Sequence, residues 1–95
     1  MKTLPMRDVN DAIANGEECY IWTDCGDGQL ERVTYVDANW WVHVRYMSYC
    51  VCPDSAAYVF ESNEERQQYD AFRKQQLAAN RLKWSQPNWW KQQTA

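Results

Sequence analysis

Trp40 to Met47 carries the clearest pattern in the chain. Trp40, Val42, Val44 and Tyr46 alternate with Trp41, His43 and Arg45, the two-residue period of a β-strand with one face turned inward. Upstream, Met6, Val9 and Ile13 recur at helical spacing, Asp8 stands in the favoured first turn, and Asn15-Gly16 offers a left-handed stop. A short helix is therefore predicted over residues 4–15. Cys19 to Thr23 is β-branched and aromatic, Asp24-Cys25-Gly26-Asp27-Gly28 is turn chemistry, and Leu30 to Val36 is strand-like again, which reads as a hairpin. Asp37-Ala38-Asn39 then turns into the alternating strand. Ser48 to Cys52 continues that strand or opens the next, Pro53-Asp54-Ser55 turns, and Ala57 to Phe60 forms a short apolar strand.

Ser62-Asn63-Glu64-Glu65 matches the capping box, in which the Ser62 hydroxyl accepts from the Glu65 amide and Glu65 reaches back. The helix that begins there runs to about Trp84, with Tyr69, Phe72, Leu77 and Trp84 leaning to one side and Gln, Arg and Ala interrupting the stripe. Such weak amphipathicity predicts only partial docking on a sheet. The expected architecture is α+β: a short N-terminal helix, a three- to four-stranded antiparallel meander, a longer C-terminal helix and a Trp-rich tail. Residues 1–84 form one domain, and residues 85–95 are a tail that packs on the domain or on a partner.

With 95 residues the core is thin, since a chain of this size buries roughly 60–65% of its unfolded surface. Aromatic residues, 15% of the chain, compensate because each removes a large apolar area from water. No apolar run reaches the length of a membrane span, and Met1 to Asp8 lacks the apolar region of a secretory signal, so no membrane partner and a cytoplasmic location are expected. In that compartment Cys19, Cys25, Cys50 and Cys52 are reduced thiols; outside the cell two disulfides would be the better reading.

Charge changes the picture. Residues 1–65 hold twelve acids against four bases, and residues 66–95 hold Asp70 against Arg66, Arg73, Lys74, Arg81, Lys83 and Lys91. The two parts should attract each other, within one chain or between the copies of a homodimer. Trp84, Trp89 and Trp90 fall in the basic stretch, joining cations to large amphipathic rings, a combination suited to binding. The adjacent Trp89 and Trp90 need cover, either from their own sheet and helix or from a partner. The basic residues do not fall on one narrow helical stripe, so a groove-reading helix is not specified, and a solvated face is the ordinary account. Scattered carboxylates make a poor DNA mimic.

Catalytic chemistry is hard to assemble from this inventory. The cysteine spacings, C-x5-C and C-x-C, fit neither zinc knuckles nor a redox pair. His43, the single histidine, reads as a sheet residue with no local signature and no third orienting group. Asp24, Asp27 and Glu31 do not make a calcium loop, and no phosphate-binding glycine loop is present. Neither an enzyme nor a metal or cofactor is expected.

Together these features describe a small non-enzymatic accessory factor or inhibitor that binds another protein, of the size common among factors encoded by phages and mobile elements. Its contacts would be the acidic sheet and the C-terminal surface, with Trp41, Arg81, Lys83, Trp84, Trp89, Trp90 and Lys91 as the partner-binding residues. The alternative is a nucleic-acid-binding module that uses the same basic aromatic segment as stacking platforms and phosphate contacts.

Overall fold

The computed structural model describes residues 1–23 and 28–85, with side chains from residue 82 onward outside the described part. Two helices and antiparallel strands in two sheets make an α+β fold. Strand β1 (Lys2–Pro5) leads through a 3-10 turn (Met6–Asp8) into helix α1 (Val9–Ala14). Strands β2 (Tyr20–Thr23), β3 (Gln29–Arg32), β4 (Tyr35–Val36), β5 (Trp41–His43), β6 (Ser48–Cys50) and β7 (Ala56–Val59) come next in the chain, and the long helix α2 (Asn63–Ser85) comes last.

The strands divide into a four-stranded sheet of order β1-β7-β2-β3 and a three-stranded meander, β4-β5-β6. Two differences from the sequence reading stand out. The segment read as one helix over 4–15 begins as a strand, because Lys2 to Pro5 pairs antiparallel with β7, Leu4 facing Ala57. Only from Met6 does the helical spacing take effect. The strand predicted to extend to Met47 ends at His43, and Tyr46, instead of pointing inward, is 81% exposed with Arg45 stacked over its ring.

One face of the four-stranded sheet, carrying Ile21 and Ala57, closes a core with Met6, Val9 and Ala12 from the N-terminal turn and helix, with Val36 and Val42 from the second sheet and with Val44 just after β5. The strand alternation sends Tyr20 and Trp22 of β2, and Tyr58 of β7, to the other face, under α2. There Tyr69 packs against Tyr58 and Phe60 with ring centroids 5.2 and 5.6 Å apart. Burial pushes the Tyr69 phenol up to about 12, with the Tyr58 hydroxyl adding to the shift. Arg66 lies 5.2 Å over the Tyr20 ring and donates to its hydroxyl at 2.7 Å, while Arg73 lies over Trp22 at 5.2 Å. The basic helix thus meets the acidic part of the chain through aromatic rings, where guanidinium planes stack favourably. Of the predicted helix stripe, Tyr69 and Leu77 turn toward the sheet, and Phe72 is 53% exposed.

The capping signal is realised with one change. Ser62 Oγ accepts from the Glu65 amide at 3.1 Å, but Glu65 Oε1 accepts from the Glu61 amide, one residue earlier than predicted, and also meets the N-terminal ammonium at 3.0 Å. Helix α1 is tied to the second sheet by Asn10, whose amide donates to the Val36 carbonyl at 2.7 Å and accepts the Val36 N–H at 2.8 Å. A side-chain amide here takes the place of a neighbouring strand at the β4 edge.

Candidate functional site

The outer face of the three-stranded sheet gathers most of the exposed aromatic and reactive side chains of the described residues. Its ladder explains why. Val44 N–H bonds to the Met47 carbonyl and Val51 N–H to the Trp40 carbonyl, so in the register that pairs Val42 with Tyr49 the bonded pairs alternate with non-bonded ones. His43 with Ser48, and Trp41 with Cys50, are the non-bonded pairs, where opposing side chains approach closest. Val42 and Tyr49 turn inward instead, Val42 being fully buried.

At the centre of this face His43 sits between two partners. Its Nε2 is 2.9 Å from Asp37 Oδ2 and its Nδ1 is 2.8 Å from Ser48 Oγ. Tyr35, across the strand, stacks on the imidazole with centroids 4.2 Å apart and planes 8° from parallel. Asp37 is itself fixed, because Oδ1 accepts the Asn39 and Trp41 amides at 2.9 and 3.0 Å. The hydrogen bond from His43, aided by those amides, holds the Asp37 carboxyl below the usual carboxylate range. An ionised carboxylate only accepts, so the ring proton faces Asp37 on Nε2 and leaves Nδ1 to accept from the Ser48 hydroxyl.

The loop that aims Asp37 is strained. Trp40 has φ +61°, a left-handed conformation rarely adopted by a bulky residue, and it closes the hairpin by donating its N–H to the Asp37 carbonyl at 3.2 Å. Its ring packs against the core, which holds it there. On the far side of β6 an apolar cleft of about 500 Å³ opens between the sheets, lined by Met6, Ile21, Trp22, Tyr49 and Val51.

Of the residues singled out from sequence, Trp41 lies on this face, 44% exposed. Arg81 is exposed on α2, on the opposite side of the four-stranded sheet, so the two do not form one patch. Lys83 and Trp84 belong to α2 with side chains outside the described residues, and Trp89, Trp90 and Lys91 lie outside the described residues altogether. Sequence reasoning missed Tyr35, Asp37 and Ser48. Only strand register brings them together, Tyr35 and Ser48 opposite His43, and Asp37 in the turn after β4, and no spacing in the sequence displays it.

Cys19 is buried, with burial pushing its thiol up and Glu17 adding to the shift, whereas Cys50 and Cys52 are exposed free thiols. Among the described residues no cluster of three or more His, Cys, Asp or Glu side chains could hold a metal ion. No described helix is long and apolar enough to cross a membrane. No protein-family model, curated protein or solved structure matches the chain, so its geometry alone speaks for its function.

Proposed function

We propose that this chain is a small non-enzymatic interaction protein of the cytoplasm that binds another protein by taking up one of its extended segments along β6. The observation that carries the proposal is the position of β6. It is an edge strand of the meander, with Trp41 on the outer face beside it and the apolar cleft on its inner side. Edge strands recruit a partner strand through main-chain hydrogen bonds, and flanking pockets select alternate side chains. In the ladder register the Ser48 and Cys50 amides point away from β5, toward such a strand. Tyr35 and Tyr46, respectively 48% and 81% exposed, widen the aromatic surface, and Met47, 54% exposed, accepts from the Tyr49 hydroxyl at 3.4 Å on the other face of β6.

Charge favours a protein over nucleic acid at this surface. On β4–β6 and their loops Arg45 is balanced by Asp37, and of the basic helix Arg66 and Arg73 sit against rings while Lys74 pairs with Asp70 at 2.9 Å. A phosphate backbone needs a set of accessible cations. The C-terminal segment that carries Arg81, Lys83, Trp84, Trp89, Trp90 and Lys91 forms a second contact region in this reading, away from β6.

Capture from a source-cell lysate with tagged wild-type and variant chains, with and without nuclease, tests the proposal. Cys50→Pro removes an outward amide from an edge strand, where proline is tolerated. With its circular dichroism unchanged, it should lose a nuclease-resistant protein that the wild type retains, and Trp41→Ala should weaken that capture. Retention by both variants, or capture abolished by nuclease, would overturn the reading, the latter in favour of nucleic acid.

A further inference from the structure

The geometry points to Ser48 as an acyl-acceptor site, activated by His43 and oriented through Asp37, that takes an acyl group from an activated ester or thioester. It goes beyond the docking reading and does not depend on it. Three features on the outer face distinguish this serine from a casual surface hydroxyl. Ser48 Oγ lies 2.8 Å from an imidazole nitrogen, the second nitrogen lies 2.9 Å from a carboxylate, and that carboxylate is anchored by two backbone amides. Nucleophile, base and orienting acid are in hydrogen-bond reach in series, the relation from which activated serines are recognised irrespective of chain order. Tyr35 adds a stacked plane that fixes the ring's tilt.

The step balances without a redox partner. Ser48 Oγ adds to the acyl carbon as its proton passes to His43 Nδ1, and the resulting imidazolium is held by Asp37. The bond from the acyl carbon to the leaving oxygen or sulfur breaks, and the proton on His43 passes to that alkoxide or thiolate. The product is an ester on Ser48 and a free alcohol or thiol. Imidazole nitrogens serve either way round here; Nδ1 faces the hydroxyl, whereas the roles of the two nitrogens are reversed in the well-known serine hydrolases. The site is open to solvent, with Ser48 exposed.

Two other serines of the same chain serve as internal references. Ser55 Oγ accepts the Cys52 amide at 3.0 Å and Ser62 Oγ accepts the Glu65 amide at 3.1 Å, and neither bond supplies a base. The full-length chain is incubated with p-nitrophenyl acetate, and acetylation is located by peptide mass mapping over a time course. Ser48 should acquire acetyl at least about a hundredfold faster than Ser55 or Ser62, the lower end of what a positioned general base contributes. His43→Gln should abolish that preference, and Asp37→Asn should lower it while Asp37→Glu restores part of it. Equal labelling of the three serines in the unaltered chain would overturn the inference even if the variants failed to fold. So would a Ser48 preference that survives His43→Gln.

Discussion

At the scale of single residues, two positions couple local backbone to the packing around them. Gly28 has φ +77°, and a Cβ there would stand 2.5 Å from the Trp22 ring and 3.2 Å from Leu77. Gly28→Ala combines a strained left-handed backbone with a clash against the ring that α2 covers. Its cost should be about 1–3 kcal/mol in urea denaturation, with Trp22 shifted from its place under Arg73. Asp37 acts through charge. Because its folded-state affinity for a proton is lowered by the His43 bond and two amides, its stabilisation is present above the ordinary aspartate value of 3.8 and is lost as pH falls below it. Asp37→Asn should therefore reduce stability near neutrality. Below that value the gap between variant and wild type should narrow; a gap that stays constant across the acid titration would show that the carboxylate's charge plays no part. Glu65, lowered through the N-terminal ammonium and the Glu61 amide, has the same sign in both proteins and cancels from the comparison.

At the scale of elements, caps and side-chain bridges set what holds each piece in place. Ser62→Ala removes the acceptor for the Glu65 amide and should cost about 1 kcal/mol, read as a lower thermal midpoint with α2 intact. Asn10→Ala leaves both backbone groups of Val36 without their partner, so the Val36 amide should lose hydrogen-exchange protection by about 1–3 kcal/mol while amides in β2 change less. The contrast between these elements explains what the sequence made legible. Helix α2 was predicted within a residue or two at each end because its start depends on four consecutive residues. The alternation of Trp41, Val42 and His43 likewise marked β5 and its outward face. Strand β1 was illegible because four residues ending in Pro5 carry no period, and their pairing with β7 lies more than fifty residues away. Ser48, His43 and Asp37 were invisible for a related reason: no spacing rule joins them, and only the register of two hairpins brings them together. The α2 charges were legible, but their use against Tyr20 and Trp22 rings was not, since cation–ring stacking leaves no pattern in one dimension.

At the scale of the whole molecule, the question is whether two short sheets unfold as one. Neither is large: the meander has strands of two and three residues, below what a small sheet needs for independent stability. Their union rests on a shared apolar cluster in which Met6, 2% exposed, joins Ile21 and Ala57 of the first sheet to Val42 of the second and Val44 just after it. Met6 also anchors the chain through its amide, which donates to the Ser55 carbonyl at 2.8 Å just before β7. Met6→Ala keeps that amide and removes only the side chain, so its effect isolates packing. It should cost about 2–5 kcal/mol, a large share of the stability of a domain of this size. Because both sheets lean on the same side chain, hydrogen exchange should show Tyr20 in β2 and Val42 in β5 losing protection by the same amount, through one opening event. If Val42 alone lost protection, the meander would be a separate cooperative unit. Strand capture at β6 and the Asp37–His43–Ser48 row would then sit on a piece that opens independently of the sheet beneath α2.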